Sequence, residues 1–222
     1  MPELTKEKFY KESGKTYDKN DPEAIIRYKN VMKWIKMDCE ELQIYEIGCK
    51  FGELRKMLIN TKENIGYKAV DIDEGTLKKI EGYNPDEFIC SNVNEGIPFD
   101  DKTADYIICL EVMEHLENAT FFIKELKRVL KDDGKLIISV PNPYCWSELF
   151  GNMLKKNDTQ GHIATFTYQN IVALLKFSGL KLYDKTGSFT RIPMSRRLFG
   201  KPFIVSTNFF FFTRNNMYLI GP

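Results

Sequence analysis

The stretch Tyr45–Leu54, YEIGCKFGEL, closes a short apolar run with a glycine-patterned turn, which is a way of bringing a nucleotide-like ligand close to the backbone. Gly48 permits the tight bend, and Gly52 lets a following helix pack against the strand. Glu46, at the end of the run, puts a carboxylate where a pyrophosphate would be repelled and a ligand bearing an ammonium would be favoured. Lys50 takes the place of the middle glycine. It fits if its backbone avoids the glycine-only region, and its ammonium could then pair with a ligand carboxylate or with Glu46. Asp71 ends a second apolar run about 20 residues on, the spacing at which a carboxylate accepts hydrogen bonds from ribose hydroxyls. A glycine turn alone is equally an ordinary β–α turn; the paired carboxylate favours the ligand reading.

A second group of reactive residues contains both histidines of the chain, His115 in EVMEHL and His162 in GHIATFT. An imidazole beside a polar acceptor can take or orient its proton, and Glu111 and Glu114 precede His115 closely enough to share such a site. The alternative is that Glu114 and His115 pack or hydrogen-bond at a sheet edge. A third group, Arg191–Phe203 followed by Asn208–Thr213, mixes basic and aromatic residues and could touch an anionic, lipid-like or nucleic-acid acceptor. The competing reading places the FFFF run in the sixth or seventh strand, half of it core.

The elements that must position these groups follow from hydrophobic period. Asp21-Pro22 has the form of an N-cap and first helical position, and IIRYKNVMKWIKM continues at helical spacing, predicting a helix over about 21–38. Short apolar runs then alternate with helical patterns: LQIYEIG, a helix from about Glu53, IGYKAVDID, a helix around TLKKI, DEFICSNV, ADYIICLEV, FFIKELKRVL and GKLIISVPN. That alternation calls for parallel strands with helices on both faces. LIISV is apolar throughout, as a central fifth strand requires, and DDG is expected to stop the helix before it. A polar connection over 142–165, including Tyr144, Trp146, Phe150 and Met153, would roof the pocket as an apolar lid or pack as a helix. A helix TYQNIVALLKFSGL closed by Gly179 follows, then β-like runs near 180–186 and 207–220.

A chain of 222 residues with 43% hydrophobic content can bury one sizeable core. Lys plus Arg total 32 against 31 Asp plus Glu, so no net field points to nucleic acid or an anionic membrane. The five cysteines, Cys39, Cys49, Cys90, Cys109 and Cys145, lack CxxC spacing and fit a reducing cytoplasm. The charged start MPELTKEKFYKESGKTY has no apolar h-region, and no run reaches the ~18 residues of a membrane span. The chain reads as cytoplasmic and unprocessed.

The ordered segments EIGCKFG, AVDID, CSNVNEGIPFDDKTADYIICLEVMEHL and LKRVLKDDGKLIISVPN resemble the class I S-adenosylmethionine-dependent methyltransferases, especially the ubiquinone-biosynthesis O-methyltransferases, over residues 42–142. The resemblance implies a Rossmann-like, doubly wound α/β fold: a seven-stranded, mostly parallel sheet with an antiparallel last strand and helices on both faces. It implies one domain over 1–222, with 1–40 a helical extension, 42–142 the cofactor core, and 143–222 an acceptor-side lid and C-terminal strands. By motif match, S-adenosyl-L-methionine would meet Glu46, Gly48, Lys50 and Gly52 around its methionine end and Asp71 with Ile72 at the ribose. Asn92 and Val93 would lie against the adenine, and Leu110 and Glu111 would cap the inner face. Lys50 and Asn92 depart from the usual glycine and aspartate; Asn92 keeps an acceptor oxygen but loses the charge. The resemblance also implies that Glu111, Glu114, His115 and His162 could hold a divalent metal that polarises an acceptor oxygen, with His115, His162 and Glu111 as catalytic candidates.

The expected activity is methyl transfer to an oxygen of a small or lipid-like molecule. Peripheral membrane contact is compatible with it, and oligomeric state is left open. Two alternatives stand beside it: a catalytically silent cofactor-binding protein, with Lys50 and Asn92 as signs of relaxed constraint, and an RNA methyltransferase, against which the near-neutral charge counts.

Overall fold

Residues 21–38, 41–62, 64–154, 160–192, 195, 203–207, 209 and 212–222 are described by the computed structural model. The apolar runs of the first two-thirds form parallel strands: β1 (Leu42–Ile47), β2 (Ile65–Asp71), β3 (Phe88–Cys90), β4 (Ala104–Leu110) and β5 (Leu130–Pro141). Two further strands, β6 (Lys181–Gly187) and β9 (Asn215–Gly221), complete a seven-stranded sheet in the order β3-β2-β1-β4-β5-β9-β6. The last strand runs antiparallel to both neighbours, as expected. Strand order reverses between β1 and β4, so a crevice opens beyond their carboxyl ends.

Period-two alternation along β1 divides the core. Leu42 and Ile44 face a cluster with Leu54, Leu58, Tyr67 and Phe88, while Tyr45 and Ile47 face another with Phe99, Phe122, Leu126 and Tyr218. Helices α1 (Pro22–Trp34) and α2 (Glu53–Ile59) cover the first face, and α4 (Ala119–Val129) and α6 (Tyr168–Phe177) the second, with the single-turn α3 (Glu74–Leu77) between β2 and β3. Asp21 caps α1 by accepting the Glu23 N–H at 2.9 Å, and Pro22 occupies the first turn. Thr167 and Asn170 close a capping box on α6. Full burial of Phe122 and Leu126 on α4 stabilises the fold by roughly 1.5–3 kcal/mol each.

Three boundaries differ from expectation. The first helix ends at Trp34, where Ile35 turns extended, rather than near 38. Helix α4 ends at Val129 without help from DDG: Leu130 already pairs with Ala104, and Lys131–Gly134 bulge out before pairing resumes at Lys135. The 207–220 run is strand only from Asn215. Phe209 and Phe212 stand exposed before it, because a second, two-stranded sheet of β7 (Phe189–Arg191) and β8 (Ile204–Ser206) precedes the last strand. The rest of the FFFF run and most of 193–202 lie outside the described residues. The connection after β5 holds α5 (Trp146–Met153), which buries none of its residues. Cys49, Cys90, Cys109 and Cys145 are free thiols, and Cys39 lies outside the described residues. Among the described residues, no helix is long and apolar enough to cross a membrane.

Candidate active site

At the crevice, β1 gives way to α2 through three consecutive positive φ angles at alternate residues: Gly48 at 78°, Lys50 at 46° and Gly52 at 71°. The Gly48 N–H donates to the Val70 carbonyl at 2.8 Å, and a Cβ on Gly48 would lie 2.5 Å from Val112 Cγ2. Glycine is therefore required there by space as well as by conformation. Lys50 sits in the left-handed region that favours glycine, a strained state for a lysine, and its N–H donates to Asp71 Oδ2 at 2.9 Å. Asp71 Oδ1 accepts the Asp73 N–H at 3.1 Å. The carboxylate at the end of β2 thus holds the β1–α2 turn in place while lining the crevice. Burial raises its pKa and these two N–H groups oppose the rise.

The crevice is a cavity of about 240 Å³. Gly48, Lys50, Asp71 and Ile72 line one wall, Asn92 and Val93 a second, and Leu110, Glu111, Glu114, His115 and His162 a third. Two of the sequence candidates are outside the lining. Gly52 packs against Ile80, which would be 3.1 Å from a Cβ there. Glu46 points to the opposite face of β1, where it is 2% exposed and bonded to the Tyr67 hydroxyl. Desolvation pushes its carboxyl up to about 8, against the lowering effect of the Tyr67 hydrogen bond. Asn92 spends its oxygen on the Asn94 N–H at 3.1 Å and its amide on Glu95 at 3.2 Å, forming the turn after β3.

Beyond β4, Glu111 takes a positive φ of 57°. Its carboxylate accepts the Ser139 hydroxyl at 2.7 Å and the Asn215 side-chain amide, which ties it to β5 and β9. The 3-10 turn Met113–His115 follows. The Ile163 and Ala164 N–H groups donate to the Glu114 carbonyl at 2.9 and 3.1 Å, and this is what carries His162 back beside it. His115 Nδ1 lies 3.2 Å from the Gly161 carbonyl, which can only accept, so Nδ1 carries a proton and, in the neutral ring, Nε2 holds the lone pair. Ring centroids of the two histidines are 4.9 Å apart, and His162 Nε2 is 4.0 Å from Glu114 Oε1.

Glu114 is 1% exposed, and neither carboxylate oxygen has a hydrogen-bond partner among the described residues. Its pKa is raised well above the ordinary range by desolvation and then by Glu111. Ligand atoms of Glu114, His115 and His162 all lie within 4.8 Å of one another. Glu111, the fourth residue of the expected set, is outside this group because Ser139 and Asn215 hold its carboxylate.

Sequence reading missed the α1 part of the roof and Arg214. Asp21, the N-cap of α1, with Glu23 and Arg27 of that helix, lines the cavity, as do Arg214 just before β9 and Arg191 from β7, the first residue of the basic and aromatic segment singled out from sequence. Arg191 pairs with Glu23, and Arg214 with Glu148 at 3.3 Å and Ser147 at 2.8 Å. The available signal was Glu23 and Arg27 at i,i+4 spacing, a polar face on a helix whose Tyr28, Val31 and Ile35 are core.

Residues 45–138 match a family model described as a methyltransferase domain. The chain is 31% identical to the ubiquinone biosynthesis O-methyltransferase of Rickettsia typhi over 134 residues, 57% of this chain and 53% of that protein. It is 30% identical to an uncharacterized protein of Methanocaldococcus jannaschii over 118 residues, 53% of this chain and 45% of that one. It therefore spans about half the length of the curated relatives it matches. A chain from the complex of the Haloferax volcanii Trm112 methyltransferase activator with a methyltransferase shares the fold at a TM-score of 0.69 and 14% identity, covering 98% of this chain and 96% of that one.

Proposed function

We propose that this chain, which carries a class I S-adenosylmethionine-dependent methyltransferase domain, binds S-adenosylmethionine across the ends of β1, β2, β3 and β4 and methylates an oxygen of a small or lipid-like hydroxylated molecule. We read 42–142 as the part that holds the cofactor, α1 as its roof, and 143–222 as the acceptor side. The observation that carries the reading is one continuous cavity with Asp71 on one wall and the His115–His162 pair on another.

When bound, S-adenosylmethionine supplies a methyl group on a sulfonium, and in-line displacement of that group needs mainly orientation. Asp71 retains acceptor capacity for two ribose hydroxyls after accepting two backbone N–H bonds. Val93 and Leu110 offer apolar surface to a purine. Arg27 and Lys50 place cationic groups over the methionine end. His115 Nε2, which holds the lone pair of the neutral ring, would take the proton of the acceptor hydroxyl as that oxygen is methylated.

A metal-assisted version is favoured by the buried Glu114 carboxyl, whose oxygens have no hydrogen-bond partner among the described residues and lie beside two imidazoles. Glu114, His115 and His162 would hold a divalent cation. Bound there, the cation would polarise the acceptor oxygen.

Calorimetric titration with S-adenosylmethionine and S-adenosylhomocysteine tests the cofactor reading, and a methyl-transfer assay with and without a chelator tests the metal. Micromolar binding of either ligand is the expected result, and no binding by both sinks the proposal. Methyl transfer that is unaffected by chelation removes the metal.

A further inference from the structure

A second groove adjoins the candidate active site and is unlike it in chemistry. It has a volume of about 430 Å³ and is lined by Cys145, Trp146, Phe150, Ile192 and Phe212, with Arg191 and Arg214 at its border. Trp146 stacks on Phe212 with ring planes 2° apart and centroids 5.8 Å apart, and on Phe150 at 5.8 Å. Helix α5 contributes Trp146, Leu149, Phe150 and Met153, an apolar stripe at i, i+3, i+4 and i+7. On a water-soluble helix such a stripe faces a core, yet here Trp146 is 47% exposed, Phe150 52% and Met153 69%. A contiguous apolar surface of this kind marks a binding face.

Its position says what lies there. Arg191 and Arg214 line both cavities, so these two side chains stand between the groove and the chamber that holds His115 and His162. A molecule seated in the groove and passing between these two guanidiniums would bring its other end to the reacting centre. The two guanidiniums at the threshold are already paired with Glu23 and Glu148, so the passage is polar but neutral overall. An anionic head would have to displace a carboxylate there, whereas an uncharged hydroxyl-bearing head would not.

Resting on the methyltransferase reading, we propose that the groove is the tail subsite of the acceptor, which is a neutral amphiphile: a hydroxylated head reaching His115 and a hydrocarbon chain lying on Trp146, Phe150 and Phe212. The chain has two tryptophans, Trp34 and Trp146, so Trp34→Phe leaves Trp146 as the sole indole reporter. Titration of that variant with straight-chain alcohols from butanol to dodecanol, below their aggregation limits, should give a saturable blue shift. Affinity should rise at least about threefold for every two added methylenes. Phe150→Ala and Phe212→Ala should each weaken dodecanol binding about threefold to tenfold, as expected for loss of a stacked ring. Affinity for S-adenosylhomocysteine should be unchanged in both.

Dodecanoate binding as tightly as dodecanol would overturn the neutral-head assignment. A non-saturating response, one independent of chain length, or one given by lipid vesicles but not by monomeric alcohols would overturn the tail subsite; the last would identify the face as a membrane-docking surface instead. Because the fluorescence is read without cofactor, failure here is separable from failure of the methyltransferase reading, which shows as absent S-adenosylhomocysteine binding.

Discussion

The two halves of the cavity are built by different means. On the cofactor side, backbone geometry does the positioning: strand ends of β1 and β2, left-handed turns, and an Asp71 carboxylate fastened by two N–H groups. On the acceptor side, side chains do it: Glu111 held by Ser139 and Asn215, and His115 by a carbonyl from a returning loop. Above them, a roof of ion pairs joins α1, α5, β7 and the approach to β9. On the proposed function, a wall made of backbone would serve any acceptor chemistry, whereas a wall made of side chains would set which acceptor is used.

That division predicts opposite signatures for the two sides, and the largest effects come from the groups nearest the reaction. His115→Gln should lower turnover by about 10²- to 10⁴-fold, the range for a positioned general base, with S-adenosylhomocysteine affinity within about twofold of the parent. Asp71→Ala should do the reverse. It loses ribose hydrogen bonds and releases the Lys50 N–H, weakening cofactor binding by about 2–3 kcal/mol in calorimetry. If His115→Gln binds cofactor as poorly as Asp71→Ala, the two walls do not act separately.

Gly48→Ala tests whether the cofactor wall depends on backbone. The added Cβ meets Val112 and the left-handed φ is retained, so thermal or denaturant unfolding should show a loss of about 2 kcal/mol. Val112→Ala in the same chain should recover the steric part but not the conformational part. Complete recovery would mean that crowding alone fixes the glycine.

The geometry of the wall that carries Asp71 was largely legible in the sequence because its determinants are local: a glycine turn, a carboxylate at a strand end, and a period that separates strands from helices. Glu46 shows where such reading fails. Its motif position pointed to the ligand, but strand alternation sends its side chain to the face opposite Tyr45 and Ile47. Alternation was readable, yet which face lines the cavity was not. The acceptor side was less legible because its partners are distant in sequence: Glu23 with Arg191, Glu111 with Asn215, and His162 with Glu114. The exposed stripe on α5 was visible as a pattern, but its exposure depends on what does not pack against it.

Glu46 also gives the molecule a pH signature. The folded-state pKa of about 8 lies above the ordinary 4.5, so between these values the folded protein holds a proton that the unfolded chain has released. Stability contributed by this group is therefore present below pH 4.5 and is lost as pH rises towards 8, by up to about 1.4 kcal/mol per unit. Glu46→Gln should remove that slope and become progressively more stable than the parent across the window, as read by denaturant midpoints. A parent protein whose stability is flat from pH 5 to 8 would show that Glu46 ionises normally in place.

The smallest effect separates backbone from side chain at one residue, Lys50. Its left-handed backbone costs about 1 kcal/mol for a residue with a Cβ, while glycine adds unfolded-state entropy worth about 0.4–1 kcal/mol in the opposite sense. Lys50→Gly should therefore raise stability by no more than about 0.6 kcal/mol, the difference of those two terms. Its ammonium is lowered by desolvation and then by Arg27, and is held up by Asp71, Glu111 and Asp21, so it stands in a field that an incoming ligand carboxylate would share. Calorimetry on Lys50→Gly decides its role. A cofactor affinity within about twofold makes Lys50 a tolerated substitute in a backbone wall, and a loss of tenfold or more, about 1.4 kcal/mol, makes it a second side chain on that wall, beside Asp71, that touches the ligand.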